Sequence, residues 1–72
     1  MDESILIKFG KKVREKRLQK GISQEKLAEK AGVHRTYIGM IERGEKNITL
    51  GNIEKIAKAL EISLDKLMSL EK

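Results

Sequence analysis

The sequence contains no cysteine, proline or tryptophan, and only one histidine, one phenylalanine and one tyrosine. The absence of cysteine excludes disulfide bonds and thiolate metal sites. The aromatic residues are too few for recognition of single-stranded nucleic acid by stacked rings. At 72 residues the chain has room for one domain and no second one.

Long apolar segments are also absent. The longest apolar run near the start is Ile5-Leu6-Ile7, far shorter than a signal-peptide core or the roughly 20 residues that span a bilayer. We therefore expect a soluble, cytoplasmic protein without a membrane partner. Hydrophobic residues make up 39% of the chain, enough for one small core. Because such a core contributes about 3–5 kcal/mol, we expect self-association to add stability.

Positive charge is in excess, with 16 basic residues against 11 acidic ones, a net charge of +5 and a pI near 9.6. This balance indicates an anionic partner. Residues 8–20 hold seven of the basic residues, whereas residues 50–72 are neutral. The basic cluster is consistent both with a solvated helix face and with a phosphate-binding surface.

Capping residues and glycines divide the chain into five short helices, so the predicted fold class is all-α. The helices are predicted from about Ser4 to Lys20, with Gly21 as the stop, from Ser23 to Gly32, from Arg35 to Arg43, from Thr49 onward and from Ser63 onward. Apolar spacing places these residues on the inner faces or apolar sides: Ile5, Phe9, Val13, Leu27, Ala28, Ala31, Ile38, Ile41, Ile53, Ile56, Ala57, Leu60, Leu64, Leu67 and Met68. Gly10 is expected to weaken the first helix slightly.

The second and third predicted helices carry the most specific pattern. Two short helices that cross at a large angle need a small residue where they approach, a turn residue that accepts positive φ, and a branched apolar anchor. Ala28, Gly32 and Ile38 meet these needs in order. The string Gln24-x-x-Leu27-Ala28-x-x-Ala31-Gly32-Val33-x-x-x-x-Ile38-x-x-Ile41-Glu42-x-Gly44 resembles the helix-turn-helix domains of the lambda-repressor and Cro type.

This resemblance implies a single five-helix DNA-binding domain over residues 1–72. The helix-turn-helix is expected at about residues 23–43 and a dimerisation region at about residues 49–70. A phage or plasmid repressor of the same fold is one interpretation.

A narrower resemblance lies between His34 and Asn47, where Arg-Thr-Tyr-Ile is followed by Ile-Glu-Arg-Gly and then a basic residue and Asn. This segment is similar to the controller proteins of restriction–modification systems. The similarity implies a homodimer that binds palindromic double-stranded DNA upstream of its own gene. It also implies activation at low occupancy, repression at higher occupancy, and RNA polymerase as a candidate partner.

The third helix is expected to enter the major groove with its first turn and outward face toward base edges. The expected base-reading residues are Arg35, Thr36, Tyr37 and Met40. Arg35 can donate two hydrogen bonds to guanine. Gly39 is expected to face outward and to permit close approach to DNA. For Tyr37 the alternative is a core position with a solvated hydroxyl.

Other outward donors are expected to contact the DNA backbone. These residues are Gln24, His34, Arg43, Lys46, Asn47 and Thr49. Gln24 lies at the start of the second helix, where its amide can reach a phosphate together with the helix N–H groups. For His34 a helix cap is the alternative, and for the loop residues it is ordinary solvated polarity.

Two further groups are assigned to structure and assembly. The resemblance implies that Arg17 pairs with Glu42 and so ties the first and third helices together. The apolar residues Leu64, Leu67 and Met68 are expected at a two-fold dimer interface, with burial inside the monomer as the alternative.

Two other functional classes compete with a DNA-binding regulator. An antitoxin-type module would use the same fold to bind a protein. An enzyme is disfavoured because no nucleophile–base set, metal-ligand cluster or phosphate-cradling glycine loop is present in the sequence. We therefore expect no catalytic residue, no metal and no cofactor.

Overall fold

A computed structural model describes residues 4–70, which form five α-helices. The helices are α1 (Ile5–Lys20), α2 (Gln24–Ala31), α3 (Arg35–Glu42), α4 (Leu50–Leu60) and α5 (Leu64–Leu67). Between residues 4 and 70 no β-strand occurs, and the predicted all-α class is confirmed. None of these helices has the length and apolar character needed to cross a membrane.

Side-chain caps begin the helices where the sequence predicts them. Ser4, Ser23, Thr49 and Ser63 precede α1, α2, α4 and α5, and each hydroxyl oxygen accepts a hydrogen bond from a backbone N–H in the first turn. These N–H groups have no partner inside the helix, so each cap stabilises its helix by about 1 kcal/mol.

The turn between α2 and α3 depends on Gly32. Its φ of 74° lies in the left-handed region, where a side chain is disfavoured. The N–H groups of Gly32 and Val33 donate back to the carbonyls of Glu29 and Ala28, at 3.3 and 3.0 Å. The chain is thereby redirected into α3 within three residues, as the sequence predicts.

Gly10 has a packing function that the sequence-based expectation of a weakened helix overlooked. It is buried where α1 crosses α3, and a Cβ atom there would overlap the carbonyl oxygen of Ile41 and lie 2.8 Å from that of Glu42. Because backbone atoms cannot move aside as a flexible side chain can, only glycine allows this approach. The small loss of helix propensity is offset by close contact between α1 and α3.

The core lies between all five helices and contains Phe9, Val13, Leu27, Ala28, Ala31, Ile38, Ile41, Ile53, Ile56, Ala57, Ala59, Leu60 and Leu67. Ile5, predicted on the same side of α1 as Phe9 and Val13, is 64% exposed and does not belong to this core. One turn before Phe9, it lies beyond the end of the core and borders an apolar groove together with Ile48 and Met68.

Helix α5 separates the three residues expected at the dimer interface. Leu67 is fully buried in the core of its own chain, so its assignment to an intermolecular interface was wrong. Leu64 and Met68 remain 45% and 38% exposed. Leu67 enters the core one helical turn after Leu64, and Met68 follows the last residue of the four-residue helix.

Helix α4 ends at a residue with an unusual backbone. Glu61 has a φ of 61°, in the left-handed region that normally favours glycine. Its carboxylate accepts a hydrogen bond from Lys20 Nζ at 2.8 Å, which joins the ends of α4 and α1. The Lys20 hydrogen bond and charge lower the pKa of Glu61.

Candidate nucleic-acid interface

Helix α3 presents a polar surface because two branched residues anchor its other side. Ile38 and Ile41 are buried in the core, one helical turn apart. Arg35 and Thr36 are exposed in the first turn, and Met40 is partly exposed one turn later. The structure therefore brings three of the four predicted base-reading residues to one outward surface.

His34 is the cap of α3. Its Nδ1 accepts a hydrogen bond from the backbone N–H of Thr36 at 3.1 Å. An accepting Nδ1 places the imidazole proton on Nε2, which points away from the helix end. His34 therefore caps α3 in this structure, as the alternative prediction had it. Its Nε2–H remains able to donate to a phosphate.

Arg17, Glu42 and Gln24 form a polar network beneath α2 and α3. Arg17 Nε and Nη2 donate to Glu42 Oε2 and Oε1 at 2.7 and 3.1 Å, and Arg17 Nη1 donates to the carbonyl of Ile22 at 2.9 Å. The Arg17 and Glu42 side chains are 9% and 3% exposed. Because both oxygens of Glu42 and three nitrogens of Arg17 are satisfied, this buried ion pair fixes α1 against α3.

Gln24 belongs to the same network. Its Nε2 donates to Glu42 Oε1 at 3.0 Å, so the side chain reaches from the first turn of α2 toward the end of α3. The second hydrogen of this amide is still available to an external acceptor. The predicted phosphate-binding residue is therefore held in place by the buried ion pair.

The outward orientation expected for Gly39 was wrong. Gly39 is buried, and a Cβ atom there would lie 3.2 Å from Arg43 Nη1 and 3.5 Å from Gln24 Oε1. The side chains of Arg43 and Gln24 cover it, and the missing side chain lets both lie close to the helix. Arg43 Nε also pairs with Glu45 Oε2 at 3.1 Å, in an exposed contact.

Tyr37 was predicted either to read bases or to occupy a core position with a solvated hydroxyl, and its surroundings match neither role fully. The residue is partly buried against the core, and its hydroxyl oxygen accepts a hydrogen bond from Asn52 Nδ2 at 2.9 Å. Asn52, on α4, was missed by sequence reasoning. Its position in the first turn after the Thr49 cap gave no sign of a partner 15 residues earlier.

The loop between α3 and α4 exposes the remaining predicted backbone contacts. Lys46, Asn47 and Thr49 are exposed. The Thr49 oxygen accepts the capping bond from the Asn52 N–H at 3.2 Å, which leaves its hydroxyl hydrogen able to donate. Among residues 4–70 no group of His, Asp and Glu side chains is arranged to hold a metal ion.

Comparison with known proteins identifies relatives of this arrangement. A helix-turn-helix family model matches residues 13–67. The control protein C.BamHI of Bacillus amyloliquefaciens is 56% identical over 63 residues, which cover 86% of this chain and 78% of that protein.

Solved structures of controller proteins are also similar to this chain. The restriction-modification controller protein C.AhdI from Aeromonas hydrophila superposes with a TM-score of 0.85 at 50% identity, covering 86% of this chain and 94% of that one. C.Esp1396I bound to a 25 base pair operator site superposes with a TM-score of 0.79 at 42% identity, covering 86% of this chain and 82% of that one.

Proposed function

This chain belongs to the helix-turn-helix family and is related to the control proteins of restriction–modification systems, and from this premise we propose that it is a sequence-specific DNA-binding transcriptional regulator of that kind. The observation that carries the proposal is the outward surface of α3, which the buried Arg17–Glu42 pair holds in a fixed orientation. A related controller with the same fold has been solved on operator DNA.

Base reading is assigned to the outward surface of α3. Arg35 donates two hydrogen bonds to guanine O6 and N7, a contact worth about 1–3 kcal/mol of discrimination. Thr36 offers its methyl group to thymine or its hydroxyl to a base edge, and Met40 makes apolar contact one turn later. Tyr37 lies at the edge of this surface, with its hydroxyl directed to the DNA backbone.

Backbone contacts surround this surface. The donors are Gln24, His34, Arg43, Lys46, Asn47 and Thr49. They fix the register of α3 on the duplex without reading sequence. The basic residues of α1 strengthen general attraction to DNA, since residues 21–49 alone carry a net charge of only +1.

The active form is a two-fold homodimer. Leu50, Leu64 and Met68 are 81%, 45% and 38% exposed on the C-terminal helices, in a region without net charge. Burial of these residues against a second copy removes apolar area that the small core does not cover. Two copies of α3 then lie about 34–36 Å apart, one turn of DNA, and read a palindromic operator.

Regulation follows the pattern that the controller resemblance implies. The dimer binds sites upstream of its own gene, activates transcription when few sites are filled and represses it when more are filled. RNA polymerase is the partner for activation.

DNA binding is tested with the duplex immediately upstream of the gene and a scrambled duplex of equal length. Gel-shift titrations from low to moderate salt should show tighter binding to the upstream duplex. The logarithm of the binding constant should fall by about 0.9 per phosphate contact for each decade of salt. A folded dimer that binds neither duplex would count against the proposal and favour a protein-binding module.

A further inference from the structure

One hydrogen bond joins the DNA-facing helix α3 to α4. Asn52 Nδ2 donates to the Tyr37 hydroxyl oxygen at 2.9 Å, and both residues are partly buried. Asn52 is itself fixed, because its backbone N–H donates to Thr49 Oγ1 at 3.2 Å in the cap of α4. The Tyr37 ring packs against the core, which limits rotation of the side chain.

The direction of this bond determines what the Tyr37 hydroxyl can offer to a ligand. Its oxygen accepts from the Asn52 amide, so its hydrogen points elsewhere, and within residues 4–70 it donates to no protein acceptor. Accepting one hydrogen bond strengthens a hydroxyl as a donor in the next. The DNA backbone presents only acceptors, so a hydroxyl held as a donor suits a phosphate oxygen.

We propose that Asn52 is a positioning residue for DNA binding, which holds the Tyr37 hydroxyl as a donor to a backbone phosphate of the operator. The inference rests on the proposed function and adds to it a residue on α4 that touches no DNA. Asn52 acts through Tyr37, and its amide sets both the position and the donor direction of the phenol.

The test is a double-mutant cycle. The affinity for the upstream duplex is measured by fluorescence anisotropy at one salt concentration for Asn52→Ala and Asn52→Asp, each with Tyr37 intact and with Tyr37→Phe. The Ala variant removes the amide. The Asp variant keeps the shape of the asparagine side chain but offers an acceptor that captures the phenolic hydrogen of Tyr37. Thermal melting by circular dichroism is recorded for every variant.

With Tyr37 intact, Asn52→Ala should weaken operator binding about tenfold, because both subunits lose one oriented hydrogen bond. Asn52→Asp should weaken it more. With Tyr37→Phe present, the Ala substitution should change affinity by about twofold or less, because no hydroxyl remains to be oriented. In the same background, the Asp substitution should weaken DNA binding only through repulsion between its negative charge and the DNA.

Three outcomes would overturn the proposal. Equal losses with and without Tyr37→Phe would mean that Asn52 acts on DNA or on the fold by another route. No loss for Asn52→Ala in the Tyr37 protein would remove the positioning role. An Asn52→Asp substitution that costs no more affinity with Tyr37 intact than with Tyr37→Phe would mean that the phenol already donates to residue 52 in the unaltered protein. If Asn52→Ala does not fold, the test rests on the affinity losses caused by Asn52→Asp with Tyr37 intact and with Tyr37→Phe.

The cycle separates this inference from the proposed function. If the unaltered protein does not bind the upstream duplex, the proposed function fails. If that protein binds and the cycle shows no coupling, only the role of Asn52 fails.

Discussion

The first three helices and the last two are held in place by different kinds of contact. Helices α1, α2 and α3 are joined by directional hydrogen bonds to the buried Glu42, donated by Arg17 and Gln24. Helices α4 and α5 dock mainly through the apolar residues Ile56, Leu60 and Leu67. Directional bonds fix an orientation, whereas apolar burial is non-directional. The DNA-facing half therefore has a defined geometry, whereas the C-terminal half leaves Leu64 and Met68 exposed, where the proposed second copy would cover them.

The strongest test of this contrast is removal of the buried carboxylate. Glu42→Ala leaves the positive charge of the buried Arg17 guanidinium without a carboxylate, which should cost about 3–5 kcal/mol, comparable to the whole stability of so small a core. Urea and thermal unfolding by circular dichroism measure the loss, and the affinity of the folded fraction for DNA should fall less. Glu45→Ala is the matched control, because it removes an exposed carboxylate. An unchanged melting temperature for Glu42→Ala would contradict the structural role.

The second test concerns the apolar surface of the C-terminal half. Leu64→Glu should weaken dimerisation by about 3 kcal/mol, or about 100-fold, because the two-fold axis places the charge at the interface twice. Leu18→Glu on α1 is the control, since Leu18 is also exposed but lies outside the proposed interface. Sedimentation equilibrium at micromolar concentration distinguishes the two. Equal association by both variants would place the dimer interface elsewhere.

The third test separates base reading from backbone contact within the DNA-facing half. Arg35→Ala should cost about 1–3 kcal/mol per half-site at the matching base and relax sequence preference. Lys46→Ala should weaken all sequences more evenly and reduce the salt slope by about one per lost phosphate contact. Titrations with single-base variants of the operator at several salt concentrations measure both effects. The reverse pattern would show that α3 is oriented differently on DNA.

The smallest expected effect lies at the junction of the two halves. Glu61→Gly removes the steric strain of the positive φ and Glu61→Ala retains that strain, while both variants lose the contact with Lys20. The Gly variant should therefore melt a few degrees above the Ala variant. At pH values above the ordinary pKa of a glutamate, the ionised Glu61 carboxylate stabilises the fold. This stabilisation is lost as the pH falls through the lowered pKa of Glu61 in the folded protein. Differential scanning fluorimetry at neutral pH measures the ordering, and an Ala variant that melts higher would rule out relief of strain.

Local signals predicted the helices because their causes lie within a few residues. The Ser23 cap bonds to an N–H three residues later, and the Gly32 turn bonds back to Ala28 and Glu29. These contacts can be read from short spacing. The pairing of Arg17 with Glu42 spans 25 residues and was expected only from the family resemblance.

The errors share a different cause. Gly39 fits an outward position on the α3 surface by spacing, but side chains from α2 and from the end of α3 fold over it. Leu67 and Met68 are adjacent in sequence, yet the docking of α5 buries one and exposes the other. Such contacts depend on how separate helices meet, and the apolar pattern of one helix does not contain that information.

The contact at Gly10 determines more than the packing of two helices. The absent side chain sets the distance of α3 from α1, and in the proposed dimer a two-fold axis would repeat that distance in the second subunit. Displacing α3 by a given amount in each subunit therefore changes the separation of the two half-site readers by up to twice that amount. In the proposed dimer, a residue in the interior of α1 would thus help to specify the operator spacing.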